Sequence, residues 1–153
     1  MYFFDEHFGL FTFKWYDYGP MSWELEQIRA GLVYAGRVTV TKTETKKPGA
    51  YTQNMTFNSD SKLAEFFYET RFTDEIVQKT DEIVSFIRGR TPRNLELLAS
   101  VHYLAKHQNP TQSTYTAEDI HTMLENLKPN AGFTLEDVNG AIKTLKEHMY
   151  LTD

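Results

Sequence analysis

The order of apolar and polar positions divides the chain into an aromatic start, a helix, a ribbon and a long helical remainder. Tyr2, Phe3, Phe4 and Phe8 fit the end of a helix. Gly9 would close it, because glycine accepts the positive φ of a C′ position. Leu10, Thr12, Lys14 and Tyr16 then alternate with Phe11, Phe13, Trp15 and Asp17. That period of two predicts a short extended segment with one aromatic face, ended by Tyr18-Gly19-Pro20. Ser22 is a natural N-cap, and Glu24 and Glu26 follow where the helix dipole favours anions. Leu25, Ile28 and Leu32 repeat at helical spacing, which predicts a helix over 22–35 closed by Gly36.

Val38 and Val40 face one way and Thr39 and Thr41 the other, and threonines at 39, 41, 43 and 45 suit a strand. Lys46-Lys47-Pro48-Gly49 reads as the turn. Tyr51 to Phe57 is the returning strand, with Tyr51, Gln53, Met55 and Phe57 on one side. A helix followed at once by a basic hairpin is the element order of a winged helix. The rest is helical. Ser61 to Phe67 begins one helix. Thr73 caps a second, whose expected buried stripe is Ile76, Val77, Ile83, Val84 and Ile87. Thr91-Pro92 starts a third, with proline at N1, where its missing N–H costs nothing. Its stripe is Leu95, Leu98, Val101, His102 and Ala105, and Pro110 ends the run.

Two further helices have matching starts eighteen residues apart, Tyr115-Thr116-Ala117-Glu118-Asp119-Ile120 and Phe133-Thr134-Leu135-Glu136-Asp137-Val138. Each threonine is an N-cap worth about 1 kcal/mol, and the flanking aromatic and aliphatic residues suit a hydrophobic staple. Good helix starts resemble one another, so the match does not require a duplication. Met123, Leu124 and Leu127 should face the core from the first of these helices, and Ala141, Ile142, Leu145 and Met149 from the second. The expected fold is therefore mainly α (α+β). It is one domain over 1–153, with a winged-helix-like part at 1–60 and a helical part at 61–153. The helices at 94–150 would form a helix-turn-helix-like unit.

Composition narrows the function. Hydrophobic residues make up 41% and charged residues 24% of the 153, as in a globular chain rather than a disordered one. With no cysteine, thiolate metal sites, disulfides and cysteine nucleophiles are excluded, and a cytoplasmic location is expected. No apolar run is long enough for a membrane span, and MYFFDEH lacks the basic start of a signal peptide. The net charge of -5 argues against non-specific nucleic-acid binding. From Ile28 to Ala50, however, five basic residues stand against Glu44 alone, a net of +4 that leaves -9 elsewhere.

No catalytic constellation emerges. The five histidines form no metal-ligand pair, and His102 and His107, five apart, do not share a helical face. Asp5, Glu6 and His7 are chain neighbours and point in different directions. No nucleophile elbow, phosphate loop or dinucleotide fingerprint occurs. The acids at 118/119 and 136/137 complement helix dipoles. Arg88, Arg90 and Arg93 surround a helix junction, which suits a solvated linker more than a phosphate site. Neither a catalytic site, a metal site nor a cofactor is expected. The residues singled out for binding a partner or nucleic acid are Trp23, Arg29, Arg37, Lys42, Lys46, Lys47 and Tyr51, with Tyr34 as a further aromatic anchor. Glu24 and Glu26 on the helix of residues 22–35 would repel phosphate in a groove.

Tyr18-Gly19-Pro20-Met21-Ser22, then Leu25 and Leu32, then Gly36-Arg37-Val38, resembles the YwgA-like and SocA/GepA-like (Panacea) antitoxin-associated proteins. Met21 stands where that pattern has an aromatic residue. The helix Asn94 to Leu104 is similar to a later leucine-rich helix of the same proteins. Such families carry a further helix just before this point, so either Met1 is the start and the first residues pack as a stub, or an upstream helix is missing. The resemblance implies a non-enzymatic prokaryotic or viral regulatory module, antitoxin-like, that binds a protein such as a toxin. A homodimer is compatible with it, and a winged-helix DNA-binding transcriptional regulator is the alternative. Physically, Gly19-Pro20 makes a rigid turn and Ser22 caps the helix, so the motif also explains itself as structure.

Overall fold

A computed structural model describes residues 2–3, 8–17, 19–44, 51–58, 73–107 and 115–152. The expected helix from Ser61 to Phe67, the turn Lys46-Lys47-Pro48-Gly49, the Asp5-Glu6-His7 run and Pro110 lie outside these residues. The fold is mainly helical with two small antiparallel hairpins. The chain divides into two compact units, residues 1–21 with 78–153, and residues 22–77. The sequence had suggested grouping 1–60 instead. The first residues join the helical remainder because Tyr2 and Phe3 are buried in its core.

In the first unit, β1 (Lys14–Tyr16) pairs with β2 (Gly19–Met21), with Trp15 opposite Pro20. Gly19-Pro20-Met21 is thus a strand as well as a bend. Proline is tolerated there because a two-stranded ribbon has outer edges that need no N–H. Phe13 and Trp15 pack on the core, and Thr12, Lys14 and Tyr16 face water, as the alternation predicts. Gly19 sits at φ +110, and a Cβ there would lie 3.1 Å from Ser100 Oγ. Glycine is required twice over, by the backbone angle and by the close approach.

Helices α2 (Asp74–Ile87), α3 (Pro92–His107), α4 (Ala117–Leu127) and α5 (Leu135–Glu147) follow in the chain. Of these, α3, α4 and α5 pack pairwise. Leu98, Val101 and Leu104 of α3 meet Ile120 and Leu124 of α4 and Val138, Ala141 and Leu145 of α5 in one buried cluster. Burying each of the large aliphatic side chains is worth roughly 1.5–3 kcal/mol. Thr73 and Thr91 oxygens accept from the N–H groups of Ile76 and Asn94, the caps read from sequence. Thr116 and Thr134 each form a full capping box, with Asp119 and Asp137 reaching back to the cap backbone.

Several stripe positions turn out to be exposed. Ile83 and Phe86 are the buried residues of α2, whereas Val77, Val84 and Ile87 face water. Phe86 stacks edge-on to Phe3, and that ring pair fixes which side of α2 is inward. Leu127 is exposed at the last position of α4. Met149 is exposed because α5 has already ended. It holds a left-handed φ of 59 while the Tyr150 N–H bonds back to Leu145 O at 2.8 Å. That is a Schellman ending with methionine where glycine is usual.

In the second unit, α1 (Trp23–Tyr34) precedes β3 (Val38–Glu44) and β4 (Tyr51–Phe57). Ser22 Oγ accepts from the Leu25 N–H, and Gly36 takes φ +65, so both ends fall where expected. The ribbon register sets Val38 opposite Phe57, Val40 opposite Met55, Lys42 opposite Gln53 and Glu44 opposite Tyr51. Directly opposite residues share a face. One face therefore carries these eight side chains, and the other carries Thr39, Thr41, Thr43, Thr52, Asn54 and Thr56.

Candidate functional site

The candidate surface is the helix and ribbon of 22–58. Asn58 builds the joint between them. Its N–H donates to Arg37 O at 3.1 Å, and its carboxamide donates to Gly36 O at 2.6 Å. The Thr39 hydroxyl donates to Asn58 Oδ1 at 2.9 Å. One short side chain thus ties the end of β4 to the start of β3 and to the helix exit. Asn58 was not singled out from the sequence, since an asparagine after a strand reads as an ordinary loop residue.

Trp23 opens α1 and is 59% exposed, and Tyr34 closes it at 96%. Arg29 is held by its own helix. Its guanidinium donates to both carboxylate oxygens of Glu26, with Nε at 2.9 Å from each. That bond lowers the Glu26 pKa and raises the Arg29 pKa. The pair sits in water and adds little stability, but it cancels the charge that Arg29 would bring to a rim. Arg37 is half-buried at the joint, its N–H bonded to Leu32 O. Lys42 and Tyr51 are brought together: the ammonium lies 4.5 Å from the ring centroid. They occupy diagonal positions across the ribbon. Lys46 and Lys47 lie outside the described residues.

Two further large apolar residues of this surface were not among the candidates. Met55 is 59% and Phe57 65% exposed. Ile28 of α1 is exposed as well, and α1 buries no residue. The alternation had placed Tyr51, Met55 and Phe57 on one side. Periodicity identifies a shared face but not whether that face is covered.

The other candidates resolve into structure. His102 is fully buried in the first unit, with Nε2 3.1 Å from Tyr150 O and Nδ1 2.8 Å from the Tyr2 hydroxyl. A carbonyl can only accept, so Nε2 carries a proton, and in the neutral ring Nδ1 accepts from the Tyr2 hydroxyl. His121 Nε2 likewise meets Phe133 O at 3.0 Å. Arg90 donates to Phe86 O, and Arg93 to Ala131 O and Gly132 O, and their guanidiniums lie over the Phe86 and Phe133 rings. Lys128 is buried, bonded to Glu96 at 2.6 Å and 5.3 Å from the Trp15 ring. Among the described residues no three carboxylate or histidine side chains gather as metal ligands. Among them, too, no helix is long and apolar enough to cross a membrane. Set against models of known protein families and against curated protein sequences, the chain matches none.

Proposed function

We propose that the protein is a non-enzymatic regulatory module of prokaryotic or viral type, antitoxin-like, acting in the cytoplasm. It works by binding another protein through α1 and the β3–β4 ribbon. The observation that carries this reading is the set of large apolar side chains left in water there: Trp23, Ile28, Tyr34, Tyr51, Met55 and Phe57. Scattered exposed apolar residues are ordinary, but Tyr51, Met55 and Phe57 share one ribbon face, which supports an interaction surface there. Aromatic anchors with a charged surround suit a protein partner. The likeness of Tyr18-Gly19-Pro20-Met21-Ser22 to the Panacea-associated proteins supports a toxin as that partner.

The test is capture from prokaryotic extract by the wild type, by Phe57→Glu and by Met149→Glu. The wild type and Met149→Glu should retain a protein that Phe57→Glu loses. That protein, expressed alone, should arrest growth, and co-expression of this chain should relieve the arrest. Equal recovery by all three forms ends the reading.

A second reading, DNA binding by the ribbon, is favoured by one observation. The face of Thr39, Thr41, Thr43, Thr52, Asn54 and Thr56 holds hydroxyls and an amide but no carboxylate. Two-stranded ribbons can enter the major groove. Affinity for duplex DNA should then fall steeply with salt. A flat response excludes it.

A further inference from the structure

The ribbon of β3 and β4 is two-stranded, so each strand has one edge without a strand neighbour among the described residues. The two edges differ in chemistry. β3 carries Lys42 and Glu44, and charged side chains, lysine above all, discourage pairing with another chain. β4 reads Tyr-Thr-Gln-Asn-Met-Thr-Phe from 51 to 57, with no charge, proline or glycine, and every residue of it is exposed. An isolated two-stranded ribbon is marginal in water, and further strands stabilise it.

The sequence of β4 is also its own complement in reverse. It has an aromatic residue at each end, then threonine, then a long unbranched side chain, with Asn54 at the centre. We propose that β4 is the seam of a homodimer, pairing antiparallel with β4 of a second copy about a two-fold axis through Asn54. Tyr51 of one copy then lies opposite Phe57 of the other, Thr52 opposite Thr56, and Gln53 opposite Met55. Each pair matches in size, the aromatic and threonine pairs also match in kind, and no pair opposes like charges. The same operation on β3, centred on Thr41, would set Val40 against Lys42 and Val38 against Glu44, apolar against charged. The occupant of the β4 edge is therefore a second copy. The self-matching of one strand is what an isologous interface demands. In the resulting four-stranded sheet β3 forms both outer edges, where Lys42 opposes further addition, so the assembly closes at two. This inference does not rest on the partner reading, since the edge pairs whether or not the apolar face holds another protein.

Sedimentation across a wide dilution series tests it. The wild type should move from 17.8 kDa to twice that mass as concentration rises. Asn54→Lys and Asn54→Asp should each stay monomeric, because like charges meet at the axis, and mixing the two should restore the doubled mass. Thr41→Lys places the same charge directly across the ribbon on β3 and should remain dimeric. A second measurement avoids charge altogether. The chain has no cysteine, so Asn54→Cys introduces a single thiol. Opposite residues in an antiparallel pair are close enough for a disulfide. Mild oxidation should cross-link Asn54→Cys to dimer and leave Thr41→Cys uncross-linked. A wild type that stays at monomer mass throughout overturns the proposal. So does a dimer that Asn54→Lys leaves intact, or equal cross-linking at 41 and 54.

Discussion

The two units use their apolar residues in opposite ways. In residues 1–21 with 78–153, aromatic and aliphatic side chains from β1 and from α2 through α5 converge on one buried cluster. In residues 22–77, α1 buries nothing, and the ribbon turns Tyr51, Met55 and Phe57 to solvent. Both have well-formed local structure, with side-chain caps, a glycine stop and a complete ladder. The difference teaches that local regularity and tertiary burial are separate achievements. Hydrogen bonds and caps set where elements begin and end. Burial of apolar area supplies most of the stability, and among the described residues it is concentrated in the first unit.

That contrast can be broken by substitution. The largest effect belongs to the first unit: Leu98→Ala, at a fully buried position, should cost about 2–5 kcal/mol in denaturant unfolding. Gly19→Ala comes next, at about 1–3 kcal/mol, because alanine is strained at that positive φ. Adding Ser100→Ala to it should recover part of the loss by removing the oxygen at 3.1 Å; no recovery would show that the backbone angle is the whole cause. Met149→Gly should stabilise, by about 1 kcal/mol, by relieving a left-handed methionine.

Thr134→Ala should cost about 1 kcal/mol as a lost cap, and it has a pH signature. The backbone N–H and then the hydroxyl of Thr134 hold the Asp137 carboxyl below its ordinary pKa. Its contribution is therefore complete above the ordinary carboxylate pKa and is lost as pH falls through the lowered one. Removing the hydroxyl should raise the Asp137 midpoint in an NMR titration; an unmoved midpoint would assign the shift to the backbone donor alone. The smallest effects belong to the second unit. Ile28→Ala and Met55→Ala should each change stability by no more than about 0.5 kcal/mol. Losses on the scale of Leu98→Ala would mean that this surface is covered in solution.

Much of the architecture was legible because its signals are local. Ser22, Thr73, Thr91, Thr116 and Thr134 cap the helices they were expected to cap, and β4 runs over the residues its alternation marked. Caps and alternation depend on neighbours within a few positions, so a sequence carries them complete. The site was legible only in part. Lys42 and Tyr51 do meet, but Arg29 is taken up by Glu26, and Phe57, placed on the right strand face, was not singled out for binding.

What the sequence determined by itself, among the described residues, is where the capped helices begin, the run of β3 and β4, and which of their side chains share a face. Only the tertiary structure decided which faces are covered. Ile28 and Leu98 are both aliphatic residues at helical spacing, yet one lies in water and the other in the core. The strand made by Gly19-Pro20-Met21, the tie from Tyr2 to His102, and the grouping of residues 1–21 with 78–153 were decided there too. The physical reason is that burial is a property of contacts between residues far apart in the chain, and no short window of sequence contains both partners.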